Sequence, residues 1–158
     1  MFTFARIDDR LIHGQVVTSW LGIRGGRRII VHDDQTAKDP FMVNVCKRLA
    51  PMGTTVEVYG DDEGVEIIKA LWDDPVQKCV WLAARPHPIM KALEAGIPLK
   101  ELIVGGMGKR GTRWKIYRNV CADQEERDMF NRMNDEFGCK VYGQILPRDK
   151  PIDLYKAK

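Results

Sequence analysis

The sequence has no apolar run approaching the roughly 20 residues that a membrane-spanning helix requires, so direct membrane insertion is not expected. Cysteine is sparse: Cys46, Cys79, Cys121 and Cys139 are widely spaced, with no C-x-x-C pair among them. That spacing argues against a zinc site and against a small disulfide scaffold. It fits buried free thiols in a reducing compartment, most simply the cytoplasm. Charge of one sign is also missing. Lys plus Arg number 25 and Asp plus Glu 22, a net charge of +3 over 158 residues. The short cluster Arg24, Arg27 and Arg28 has no interleaved aromatics, so no stacking platform for nucleic acid is read. The first residues, Met1 to Arg6, read as strand at once and leave no room for a signal peptide. Internal repeats, low-complexity tracts and dividing linkers are absent, which predicts one domain over residues 1–158.

What the sequence does contain is an alternation of short apolar runs and amphipathic stretches, with 44% hydrophobic and 30% charged residues. Strands are predicted at 2–7, 29–31, 55–59, 79–83, 101–104 and 140–146. Helical spacing begins at Ile12 and runs through Val16, Val17, Trp20 and Leu21 to an end near Gly22. A second helix opens at Asp39-Pro40, with Asp as N-cap and Pro in the first helical position, and stops at Pro51-Met52-Gly53. Asp61 or Asp62 caps a third, Pro86 to Leu93 forms a fourth, and Asp123-x-x-Glu126 is a capping box ahead of the last. The fold class this predicts is α/β: a single open, mainly parallel sheet with helices on both faces. In such a sheet, functional groups belong in the loops at the carboxyl ends of the strands.

Four such loops carry candidate chemistry. The first, Arg6-Ile7-Asp8-Asp9-Arg10-Leu11-Ile12-His13-Gly14-Gln15, places two cations, two anions and an imidazole just before a helix. A neutral imidazole accepts a phosphoryl group or a proton. The helix start and the planar guanidinium forks suit phosphate oxygens. Carboxylates repel phosphate, so here they make sense as holders of arginine or of the ring. A surface turn with ordinary ion pairs accounts for the same residues.

The second loop, His32-Asp33-Asp34-Gln35, joined to Asp8 and Asp9, offers a divalent-metal site. The plainer reading is that Asp33 and Asp34 satisfy backbone groups of the turn. The third loop is Arg85-Pro86-His87-Pro88, in which His87 reads as an exposed turn residue and Arg85 as a cation at an anion rim. The fourth, Gly105-Gly106-Met107-Gly108-Lys109-Arg110-Gly111, has a formal G-x-G-x-x-G but neither the following helix nor the acidic residue that dinucleotide binding needs.

The run from Arg6 to Val16 closely resembles the IIB component of the mannose/sorbose-type sugar phosphotransferase system. Ala37-Lys38-Asp39, Gly96-Ile97-Pro98-Leu99-Lys100 and Val104-Gly105-Gly106-Met107 extend the likeness over most of the chain. His32 before Asp33 departs from what that family usually carries. The resemblance implies that His13 is the transient phosphohistidine. It would take its phosphoryl group from a IIA component and pass it to a hexose-type sugar at the IIC and IID membrane components.

The expected assignment is His13 as nucleophile and Arg10 as catalytic cation. Arg6, Asp8, Asp9, Gly14 and Gln15 act in support, with no cofactor and no metal. The location implied is cytoplasmic with peripheral association to the transporter; the oligomeric state is open, a homo-oligomer included. Two other readings are a magnesium-dependent phosphohydrolase or aspartyl-phosphate domain on Asp8, Asp9, Asp33 and Asp34, and a non-catalytic binding module.

Overall fold

The computed structural model describes residues 1–158 apart from the side chains of Gln15 and Val16. Its centre is a seven-stranded sheet built from β1 (Phe2–Asp8), β2 (Arg28–His32), β3 (Thr55–Tyr59), β4 (Cys79–Ala83), β5 (Glu101–Gly106), β8 (Lys140–Gly143) and β9 (Ile152–Asp153), in the order β3-β2-β4-β1-β5-β8-β9. All neighbours are parallel except β8 and β9. Between β5 and β8 lies a separate antiparallel hairpin, β6 (Trp114–Tyr117) and β7 (Val120–Ala122). The predicted open, mainly parallel sheet is therefore present.

Strand β4 reads Cys-Val-Trp-Leu-Ala and is buried throughout, as expected of a central parallel strand covered on both faces. One face is covered by α1 (Gly14–Arg24) and α3 (Pro40–Arg48), whose Val17, Trp20 and Cys46 pack with Phe4, Ile29, Val31, Val80 and Leu82. The other is covered by α4 (Asp61–Trp72), α5 (Pro86–Glu94) and α6 (Gln124–Phe137), through Val65, Ile68, Leu93, Phe130 and Met133. Each such apolar side chain taken wholly from water contributes about 1.5–3 kcal/mol before the entropy of ordering is counted.

Local chemistry sets the helix ends. The Asp39 carboxylate accepts the N–H groups of Phe41 and Met42, with Pro40 opening α3. Asp123 and Glu126 close the capping box of α6, and Gly138 ends it at φ 64°. Several boundaries differ from the sequence reading. Helix α1 starts at Gly14, not Ile12, because Leu11 and Ile12 are buried in the loop before it, and it ends at Gly25 rather than Gly22. Gly60, not Asp61 or Asp62, is the N-cap of α4, and both aspartates sit in its first turn.

The predicted strand 140–146 stops at Gly143. There Gln144 turns the chain, its amide donating to the carbonyls of Pro147 and Asp149. A short helix α2 (Asp34–Ala37), the β6–β7 hairpin and β9 were not anticipated. The four cysteines are free thiols; Cys46, Cys79 and Cys139 are buried as expected, whereas Cys121 is half-buried.

Candidate functional site

Strand β1 lies between β4 and β5, and the connections leaving β1 and β4 pass to opposite faces of the sheet. A crevice therefore opens at the carboxyl end of β1. Alternation along β1 puts Phe4, Arg6 and Asp8 on the α1 face and Ala5 and Ile7 on the other. The chain then makes a tight turn in which the Leu11 N–H donates to the Asp8 carbonyl at 2.8 Å. Leu11 takes φ 55°, a left-handed conformation costing a non-glycine residue about 1–2 kcal/mol. Its side chain is buried among core residues, which holds the turn in place. This turn folds His13 back over the end of β1.

Asp8 is the hub. Its side chain is 1% exposed, and Oδ2 lies 2.9 Å from His13 Nε2 and 3.4 Å from the Arg6 guanidinium. Its Oδ1 accepts the Arg10 backbone N–H at 3.1 Å and faces Arg10 Nε at 3.4 Å. With a carboxylate as acceptor, the neutral form of the His13 ring places its proton on Nε2 and its lone pair on Nδ1. The His13 side chain is 21% exposed, so the ring is neither entombed nor free to swing. Backbone at Gly14 takes φ 39°, a conformation that favours glycine. The expectation for Gln15 lies outside the described residues.

Arg6, expected as a supporting phosphate group, lies beneath the site rather than at its surface. It is 1% exposed, donates to the Gln144 carbonyl at 2.8 Å and lies 5.4 Å from the Trp20 ring centroid. Its Nε has no acceptor among the described residues. Burial pulls its pKa down to about 10 against the pull of Asp8 in the other direction. The space it crosses exists only because residue 105 is glycine: a Cβ there would collide with the guanidinium. Sequence reading missed this Arg6–Gly105–Gln144 arrangement. The legible signal was the i, i+2 spacing of Arg6 and Asp8 on one strand face.

Asp9 has other partners. Its Oδ2 accepts the Gly108 N–H at 2.7 Å and lies 3.8 Å from Arg110, so it ties the glycine-rich loop after β5 to the loop after β1. The structure thus divides the two adjacent aspartates: Asp8 holds the ring and the arginines, Asp9 holds the neighbouring loop.

The aspartates of the second loop are occupied elsewhere. Asp33 caps α2 through the Thr36 N–H and hydroxyl and pairs with Arg85 Nε at 3.2 Å. Asp34 accepts the Asp61 N–H at 2.7 Å. His32 is fully buried: Nε2 lies 2.8 Å from the Asp61 carbonyl and Nδ1 accepts the Trp81 indole N–H at 3.2 Å. Burial pushes its pKa below the usual histidine value. Among the described residues, no group of three or more His, Cys, Asp or Glu side chains is gathered to hold a metal ion. The metal-phosphohydrolase reading on Asp8, Asp9, Asp33 and Asp34 therefore has no support, because these carboxylates face separate partners. His87 is exposed, as expected, but lies in the first turn of α5 rather than in a loop, and it pairs through Nδ1 with Asp61 at 3.1 Å.

Beside the His13 loop lies a cleft of about 830 Å³ between the loops after β1, β2, β4 and β5, with Arg10, Arg85 and Arg110 on its walls. Leu11, Ile12, Met42, Val45 and Cys46 form an apolar side. His13 stands next to this cleft rather than among its lining residues.

The model of the sorbose subfamily IIB component of the phosphotransferase system (PTS) matches residues 2–157. The crystal structure of the IIBSor domain of the sorbose permease from Klebsiella pneumoniae superimposes with a TM-score of 0.89 at 28% identity, covering 98% of this chain and 93% of that one. A fructose-specific PTS EIIB component of Bacillus subtilis is 30% identical over 95% of this chain and 91% of its own length. A mannose-specific PTS EIIAB component of Escherichia coli is 31% identical over 82% of this chain and 40% of its own length.

Proposed function

The chain belongs to the sorbose-subfamily IIB components of the sugar phosphotransferase system, and on that premise we propose that His13 is its phosphoryl carrier, through Nδ1. The family makes the chain a phosphotransferase, and the partners we propose for it are those with which EIIB components of the sugar PTS work, a IIA and a IIC/IID component. The observation that carries the residue assignment is the 2.9 Å contact between Asp8 Oδ2 and His13 Nε2. It fixes the ring by one nitrogen and leaves the other to attack.

In this scheme the His13 Nδ1 lone pair attacks phosphorus on the phosphohistidine of a IIA component. The new N–P bond forms as the donor's N–P bond breaks, in line. Little covalent help is needed; positioning and charge stabilisation dominate. Arg10 has its Nε beside Asp8 and a half-exposed side chain, which leaves its terminal nitrogens for the equatorial oxygens. Asp8 stabilises the imidazolium that phosphorylation creates, and Arg6 balances Asp8 from below. The phosphoryl group then passes to a hydroxyl oxygen of a hexose-type sugar at the IIC and IID components: the O–P bond forms as the His13 Nδ1–P bond breaks, and the hydroxyl proton leaves to water. The fused EIIAB name of the E. coli relative supports a IIA donor. No helix among the described residues is long and apolar enough to cross a membrane, which fits a cytoplasmic protein that meets the transporter peripherally.

The test is labelling with phosphoenolpyruvate, the general phosphotransfer proteins and a cognate IIA. The expected product is an acid-labile, base-stable phosphate on His13, with a Nδ1 linkage by phosphorus–nitrogen NMR. A His13→Ala chain that still accepts label at the native rate overturns the assignment.

A further inference from the structure

We propose that the cleft beside His13 binds the phosphorylated sugar product, a hexose monophosphate, with Arg10 and Arg85 as its phosphate clamp. This rests on the phosphotransfer reading and extends it from a carrier to a carrier that senses its product. Arg10 comes from the loop after β1 and Arg85 from the loop after β4, the strand beside it. Each is anchored at its Nε end by a nearly buried carboxylate, Arg10 by Asp8 at 3.4 Å and Arg85 by Asp33 at 3.2 Å. Among the described residues, the terminal nitrogens of neither guanidinium have a protein acceptor. Two forks held from behind and open in front suit the oxygens of a phosphomonoester.

The rest of the cleft fits the sugar. Its volume of about 830 Å³ exceeds what an inorganic anion needs. The apolar side at Leu11, Ile12, Met42 and Val45 suits the C–H face of a pyranose or furanose ring. Of the six acidic residues on its lining, Asp9, Asp33 and Glu126 pair with arginines, and Asp39 and Asp123 cap helices. Asp9 holds Gly108 and Arg110, Asp39 caps α3, and Glu126 pairs with Arg113 while closing the capping box with Asp123. Glu125 and Gln35 remain exposed on the wall, as acceptors for sugar hydroxyls. A ligand so placed occupies Arg10, the cation proposed for the incoming phosphoryl group. Product accumulation would then slow re-phosphorylation of His13.

Isothermal titration of the unphosphorylated full chain tests the site, with mannose 6-phosphate and fructose 1-phosphate as probes and mannose and inorganic phosphate as separate arms. We expect one-to-one binding of at least one hexose phosphate, about tenfold or more tighter than inorganic phosphate. Arg85→Gln, shown folded by near-ultraviolet circular dichroism, should weaken it by about tenfold or more, and Arg85→Lys by less. Inorganic phosphate binding as tightly marks an adventitious anion site and overturns the proposal. So does tight binding of free mannose, absence of binding by both hexose phosphates, or an unchanged affinity in Arg85→Gln. Labelling of His13 at an undiminished rate under saturating hexose phosphate overturns the feedback. The titration needs no donor and the basic labelling needs no hexose phosphate, so either reading can fail without the other.

Discussion

Replacing Asp8 by Asn keeps the shape of the hub and removes its charge. In the native chain that carboxylate faces His13, Arg6 and Arg10 at 2.9, 3.4 and 3.4 Å. Two separable losses follow. The first is catalytic: a hydrogen bond to a charged group contributes about 1.5–3 kcal/mol, so transfer to His13 should slow by roughly tenfold to 150-fold. The second is structural: breaking a buried ion pair by removing one partner costs about 3–5 kcal/mol. Arg6 keeps its 2.8 Å bond to the Gln144 carbonyl, which favours the lower end of that range. Rapid-quench measurement of phosphoryl transfer from the IIA donor reads the first loss, and urea unfolding reads the second. Asp9→Asn is the control, because Asp9 holds Gly108 and not the ring; its transfer rate should stay within a few-fold of native. A folded Asp8→Asn chain that transfers at the native rate, or an Asp9→Asn chain that loses more, would refute the division of roles.

Three further outcomes are expected. Arg10→Ala should retain the fold and slow single-turnover transfer by roughly tenfold or more, since it removes a charged donor from a half-exposed side chain. Gly105→Ala drives a methyl into the Arg6 guanidinium and should lower urea stability by about 1–3 kcal/mol or more, with transfer slowed through the displaced Arg6–Asp8 pair. For His32, the unfolded chain takes up a proton below about pH 6.5 that the buried ring resists, so its contribution is present above pH 6.5 and is lost as the pH falls. The slope is at most about 1.4 kcal/mol per pH unit for this one group. Urea midpoints at pH 7.5 and 5.5 should differ less in His32→Asn than in the native chain.

The sequence carried the architecture where its signals were local. Asp39-Pro40, the Asp123/Glu126 box and Gly138 mark helix ends by chemistry within a few residues, and the structure has all three. The cluster from Arg6 to His13 was visible for the same reason. What was not visible depends on contacts distant in sequence. Whether Asp8 or Asp9 holds the ring follows from which one shares a strand face with Arg6 and which one meets Gly108, 99 residues away. The role of His32 depends on Trp81 and the Asp61 carbonyl, and on Gly64, where a Cβ would strike the imidazole. The β6–β7 hairpin went unread because its strands, of 4 and 3 residues, are too short to show a period.

Arg6 sits where a designer would least think to look. Transplanting only the surface loop, from Asp8 to Gly14, onto another parallel sheet would move the imidazole and its carboxylate without the cation that underwrites them. A working graft would also need a neighbouring strand stripped to glycine at one point and a third strand ending there with a spare carbonyl. The reactive loop is thus inseparable from the architecture of three strands, and simpler scaffolds carrying the same visible residues should prove chemically inert.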